Sequence, residues 1–161
     1  MNNDSPSYHE DRELFGAALS FTQSESGFTA RLIEKDYYCS LLLEDLLAAA
    51  SPQWAFRGGT SLSKVHSDFY RMSEDLDFAF CIAADATRSR RSAMAAPMKE
   101  HLAKLPRRLA CFTLVNMLRG YNNSTQYIGQ LSYRSSVTGQ DERIKLEFSI
   151  REPILEPDTL N

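Results

Sequence analysis

The segment AFRGGTSLSKVHSDFYRMSEDLDFAF, Ala55 to Phe80, holds the densest set of side chains able to do chemistry. Asp75 and Asp77 stand two apart in an alternating run. On a strand both carboxylates project from one face while Leu76 and Phe78 point the other way. Like charges held this close repel unless a cation sits between them, which suits Mg²⁺ or Mn²⁺ bound through carboxylate oxygens and water. Acids at the end of a strand that simply face solvent would look the same.

Upstream, Gly58-Gly59 follows the apolar run Trp54-Ala55-Phe56. Glycines allow a tight turn and a close backbone approach to a ligand, and Thr60 and Ser61 add hydroxyls and free N–H groups at a helix start, where an anion is favoured. A phosphate fits such a corner, although a Gly-Gly pair alone reads equally as a turn. In RIKLEFSI, residues 143–150, Ile144, Leu146, Phe148 and Ile150 share one face and leave Lys145, Glu147 and Ser149 on the other. If this strand lies beside the Asp75–Asp77 strand, Glu147 is a third carboxylate. The three acids would then hold metal ions that activate a hydroxyl and neutralise a leaving pyrophosphate in an in-line phosphoryl transfer, with Lys145 aimed at the phosphates. An amphipathic edge strand would carry the same pattern.

The elements that must position these groups follow from periodicity. Residues 9–22 and 29–50 read as helices, the second because Ile33, Tyr37 and Leu41, then Tyr38, Leu42 and Leu46, recur every four residues. Ser51-Pro52 ends it. A strand at 54–56, a glycine turn and a helix over TSLSKV come next, then a strand at 75–82 and a helix at 84–104. After Pro106 three strands are expected, at 109–115, 127–133 and 143–150, with turns at 120–123 and 138–141. The expected fold is α/β (α+β), a mixed sheet flanked by helices, with an antiparallel portion near the C-terminus. It forms one domain over 1–161, with N-terminal helices at about 9–50 and a catalytic core at about 54–150.

With 161 residues, 43% hydrophobic and 24% charged, the chain is long enough for one core and is neither disordered nor fibrous. No apolar run approaches the roughly 20 residues of a membrane helix, and the polar start MNNDSPSYHEDRE lacks the features of a secretory signal, so a cytoplasmic protein is expected. Cys39, Cys81 and Cys111 lie far apart in no CxxC pair and read as buried reduced thiols. His9, His66 and His101 show no metal-ligand spacing. Net charge is −3, yet residues 83–108 concentrate Arg88, Arg90, Arg91, Lys99, Lys104, Arg107 and Arg108. That segment could meet a polyanion such as RNA, but the solvated face of a helix is the preferred reading.

Three passages resemble the AbiEii/AbiGii toxin family, a branch of the DNA polymerase β-like nucleotidyltransferase superfamily: Glu34-Lys35-Asp36-Tyr37-Tyr38; Phe56-Arg57-Gly58-Gly59-Thr60-Ser61-Leu62-Ser63-Lys64 leading to Arg71-Met72-Ser73-Glu74-Asp75-Leu76-Asp77; and Lys145-Leu146-Glu147. They span about residues 30–150, and the 15 residues between Gly59 and Asp75 suit this branch. The resemblance implies a Mg²⁺-dependent nucleotidyltransferase of a type IV toxin–antitoxin or abortive-infection system that uses an NTP. Its acceptor is RNA, and the related MenT toxins modify tRNA. It implies that Asp75, Asp77 and Glu147 bind metal. Gly58, Gly59, Thr60, Ser61 and Lys64 form the phosphate corner, Arg71 and Ser73 support the nucleotide or its loop, and Lys145 is the basic residue two before the third acid. The antitoxin of such a system need not bind the toxin directly.

The family runs on into a helical part bearing a further lysine and acid, whereas no lysine follows Lys145 before Asn161. The alternative expectation is therefore a catalytically silent or incomplete nucleotide-binding domain that needs a missing C-terminal half. A nuclease using the same acids is a third, and it leaves the glycine corner unexplained. Glu34, Lys35 and Asp36 read as a solvated charge cluster, with room for an ion pair to Arg57 or Arg71.

Overall fold

Each of the three long helices among the described residues begins where a side chain satisfies N–H groups that have no partner within the helix. The computed structural model describes residues 7–49, 54–57, 75–83 and 85–151. Helix α1, Arg12–Ser26, starts at Asp11, whose carboxylate accepts from the N–H groups of Glu13 and Leu14, each at 3.0 Å. It ends at Gly27, whose φ of 75° is a left-handed conformation that glycine adopts without strain. Thr29 caps α2, Ala30–Ala48, and Thr87 caps α3, Arg88–Ala103. A single turn, α4, Leu105–Arg108, carries Pro106 at its start, where the missing N–H costs nothing.

Among the described residues, five strands form one sheet: β1, Trp54–Arg57; β2, Leu76–Cys81; β3, Phe112–Tyr121; β4, Gln126–Arg134; and β5, Asp141–Arg151. Their order is β1-β2-β5-β4-β3. β2 and β5 run parallel and every other pair is antiparallel, so the sheet is mixed, with an antiparallel meander at its C-terminal side, as expected. Several boundaries differ from the sequence reading: the helix expected at 9–22 is a 3-10 turn at Tyr8–Glu10 followed by α1, and the helix expected at 84–104 begins at Arg88. Leu109 ends the α4 turn instead of opening a strand, which moves β3 to 112–121. Gly120 and Tyr121 belong to that strand, and the reversal is made by Asn122, Asn123 and Ser124 with φ of 48°, 54° and 63°. Ser51-Pro52 and the expected TSLSKV helix lie outside the described residues.

One face of the sheet is apolar. Phe78 stacks on Phe148 with centroids 4.9 Å apart, and Phe80 lies 5.4 Å from the same ring. Tyr38 of α2 stacks on Tyr133 of β4 at 3.9 Å. Ala95, Met98 and Leu102 of α3, with Leu42 and Leu46 of α2, join this core, so the described helices pack on the Phe78/Phe148 face. Strand alternation sends Asp77, Glu147 and Lys145 to the opposite face. Cys39 is fully buried, whereas Cys81 and Cys111 are only half-buried, and all three are free thiols.

The motif at the start of α2 departs most from its expected role. Glu34 is fully buried and Lys35 nearly so, not solvated. The Glu34 carboxylate accepts from the Ser136 N–H at 2.7 Å, from the Ser136 hydroxyl at 2.6 Å and from the Ser135 hydroxyl, which seats the β4–β5 turn against α2.

A second tie joins α2 to the basic segment. Asp45 accepts from Arg108 Nε at 2.8 Å and pairs with His101 Nε2 at 2.6 Å. Burial alone would raise the Asp45 pKa, but the hydrogen bonds from Arg108 and His101 outweigh it and hold the carboxyl below the usual range. A lowered folded pKa means stability that is present above the unfolded value of about 4 and is lost as pH falls through the folded one. Asp45→Asn is therefore expected to cost about 1–2 kcal/mol at neutral pH and much less in acid, below the folded pKa. Urea titrations at the two pH values check this, and an equal loss at both would contradict it.

Candidate functional site

Strand register brings the proposed acids together. In the parallel β2–β5 pair Asp77 lies opposite Glu147, and Leu76 opposite Leu146. One residue before β2, Asp75 is exposed, while Asp77 is half-buried. On the other side of β2, β1 sets Arg57 in register with Asp77. The two carboxylate-bearing strands are thus adjacent, and parallel pairing lets residues two apart on each strand share one face.

Lys145 completes the cluster. Its ammonium donates to Glu147 Oε2 at 2.8 Å. That bond raises the Lys145 pKa, partial burial opposes it, and the charges of Glu147, Asp75 and Asp77 raise it further. A cation is therefore held where three carboxylate fields overlap. The second oxygen, Glu147 Oε1, accepts from Gln126 Nε2 at 2.8 Å, and Gln126 Oε1 accepts from Asn122 Nδ2 at 3.4 Å. Gln126 and Asn122 carried no motif and were missed. The only signal was the alternation Gln126, Ile128, Gln130, which continues the polar face across β4.

Among the described residues, no three His, Cys, Asp or Glu side chains gather closely enough to enclose a metal ion. The donor chemistry nevertheless suits Mg²⁺, which takes one or two carboxylates and completes its shell with water and substrate phosphates. Asp77 and Glu147 are two such carboxylates on neighbouring strands, and the field that holds Lys145 would hold a divalent cation more strongly. Gly58, Gly59, Thr60, Ser61, Lys64, Arg71 and Ser73 lie outside the described residues, as does His66.

Two recesses lie on this face, one at Glu147 and one at Lys145. One, of about 250 Å³, is bounded by Asn122, Thr125, Gln126, Glu147, Ser149 and Ile150. The other, of about 260 Å³, includes Arg119, Tyr121, Gln130 and Lys145. The basic helix α3 sits across the sheet, where Lys99 lies 5.0 Å over the Tyr127 ring. Several of its cations have structural partners: Arg91 donates to the carbonyls of Ala86 and Asn123, and Lys104 pairs with Glu100. This fits the reading of a largely solvated, partly tied helix face.

Comparison with known proteins agrees with the geometry. The family described as nucleotidyl transferase AbiEii toxin, type IV TA system, matches residues 41–161. Among solved structures, a candidate nucleotidyltransferase from H. pylori superposes with a TM-score of 0.52 at 17% identity, over 80% of this chain and 49% of that one. The chain thus spans about half the length of that protein, and at this identity the likeness speaks for the fold. No curated protein matches significantly. Among the described residues, no helix is long and apolar enough to cross a membrane.

Proposed function

The chain belongs to the AbiEii family of nucleotidyltransferase toxins of type IV toxin–antitoxin systems, and from that membership we propose that it transfers a nucleotide from an NTP to an RNA acceptor, tRNA among the candidates, in a Mg²⁺-dependent reaction. The observation that carries this reading is the register of Asp77 against Glu147, with Lys145 bound to Glu147 and drawn by Asp75 and Asp77. Asp77 and Glu147 would hold the metal, with the charge of Asp75 one residue before β2 adding to the field, and the metal would lower the pKa of the attacking hydroxyl and offset charge on the leaving group. Gly58, Gly59, Thr60, Ser61 and Lys64, with Arg71 and Ser73, are assigned to the triphosphate.

In the proposed step the acceptor hydroxyl attacks the α-phosphorus and a new oxygen–phosphorus bond forms. The bond from that phosphorus to the bridging oxygen of pyrophosphate breaks in line, and the hydroxyl proton passes to solvent on the open face. Lys145, an ammonium at neutral pH like any lysine, would stabilise charge on the phosphoryl oxygens. Gln126 fixes the Glu147 carboxylate, so that one oxygen keeps its orientation while the other exchanges partners. A cytoplasmic location and an antitoxin that acts without direct contact complete the reading.

The test is incubation of the chain with Mg²⁺, each radiolabelled NTP and total bacterial RNA. Label is expected in RNA with Mg²⁺ and absent when EDTA replaces it. NTP binding without transfer would instead favour a nucleotide-binding domain lacking turnover. RNA loss without NTP would favour a nuclease.

A further inference from the structure

The strand order separates the two substrates. In-line displacement needs attacking and leaving groups on opposite sides of the transferred phosphorus. The segment assigned to the triphosphate follows β1 at one edge of the sheet, and Asp77 and Glu147 stand on the next two strands. With the triphosphate assigned to the stretch between β1 and β2, the attacking hydroxyl would come from the side of Glu147 away from β1. The recess at Glu147 is bounded by β5, the first residue of β4 and the β3–β4 turn, and the recess at Lys145 by β3, β4 and β5.

Their linings differ in chemistry. The recess at Asn122, Gln126 and Ser149 holds amides and hydroxyls beside the Glu147 carboxylate and, among the described residues, has no cationic side chain in its lining, so it suits a neutral hydrogen-bonding group. The Ser149 hydroxyl is buried, the residue being 6% exposed, and has no hydrogen-bond partner among the described residues. A buried donor left unmade is costly and is explained where a ligand completes it. The wall of this recess is also held in an uncommon conformation. Asn122, Asn123 and Ser124 are all left-handed, and Arg91 clamps the turn with two bonds to the Asn123 carbonyl, at 3.0 and 3.2 Å. The neighbouring recess offers the opposite chemistry: the cations Arg119 and Lys145, and Tyr121, which is 49% exposed. A guanidinium beside an exposed ring suits a phosphate followed by a stacked base.

We propose that the Asn122/Gln126/Ser149 recess receives the terminal nucleoside of a single-stranded polynucleotide acceptor, with the preceding phosphate on Arg119 and a neighbouring base on Tyr121. This rests on the transferase reading above for the direction of attack. The binding itself does not require turnover.

The test is fluorescence anisotropy of a short 5′-fluorescein-labelled oligoribonucleotide without NTP, on the full chain and two variants. Arg119→Ala is expected to weaken binding about tenfold and to flatten its salt dependence, because one phosphate contact is lost. Ser149→Ala removes a hydroxyl that has no partner among the described residues, so its melting temperature should match or exceed that of the parent. Its affinity for the oligonucleotide should still fall about three- to tenfold, the worth of one hydrogen bond. A merely structural role would not separate those two readouts. Where transfer is measurable, the acceptor KM rises in both variants while the NTP KM stays unchanged. Parent-like oligonucleotide affinity in both variants overturns the proposal, as does a parent that binds no oligonucleotide. Weakened binding in the variants of a chain that transfers nothing upholds this subsite while removing the transferase reading.

Discussion

Replacing Asp77 with asparagine is expected to lower label transfer to RNA about a thousandfold, the scale seen when one preorganised electrostatic contact is removed from a transition state. The same variant should melt within a few degrees of the parent. Asn keeps the shape of the side chain, and the residues that anchor β2 are its neighbours Leu76 and Phe78, both buried, the latter against Phe148. Asp77 is half-buried directly across from Glu147. Neutralising it relieves repulsion with Glu147 but also weakens its attraction to Lys145, so the net stability change should be small. It also removes one of the three charges that raise the Lys145 pKa. The measurement is radiolabel incorporated into RNA, beside a thermal melt of each protein. Transfer within threefold of the parent at an unchanged melting temperature would remove Asp77 from the machinery.

Much of the sheet is legible because period-two alternation survives in DLDFAF and RIKLEFSI, which become β2 and β5. Their pairing is not written in either segment. A parallel partner is chosen by packing between residues some 70 positions apart, and the Phe78–Phe148 stack that sets the Asp77–Glu147 register is a tertiary contact. Gln126 illustrates a second limit. An isolated glutamine at the start of a strand looks like turn material until β4 is laid against β5 and its amide meets Glu147. The boundaries of β3 failed for a local reason: apolar Leu109 continues the strand pattern, yet the turn that begins at Leu105 consumes it. The left-handed run of Asn122, Asn123 and Ser124 then makes the reversal that the glycine had suggested.

Glu34 is the instructive failure, since Glu-Lys-Asp at a helix start ordinarily meets water. Its partners, Ser135 and Ser136, are a hundred residues away, and no local pattern announces them. Glu34→Ala is expected to destabilise the fold by about 3–4 kcal/mol. Hydrogen bonds to a charged group are each worth roughly 1.5–3 kcal/mol, and their loss strands the buried Ser135 hydroxyl and leaves the Glu34 pocket empty, while the exposed Ser136 turns to water. Glu34→Gln should cost about half as much, since its carbonyl oxygen can still accept from Ser136 while its amide nitrogen faces a second donor. Urea denaturation gives both values from the shift in midpoint at constant slope. The consequence reaches the site, because the turn that Glu34 seats leads directly into β5, the strand that carries Lys145, Glu147 and Ser149. If Glu34→Ala unfolded within 1 kcal/mol of the parent, the buried carboxylate would not be what holds that turn, and the family-like Glu-Lys-Asp-Tyr-Tyr passage would need another explanation.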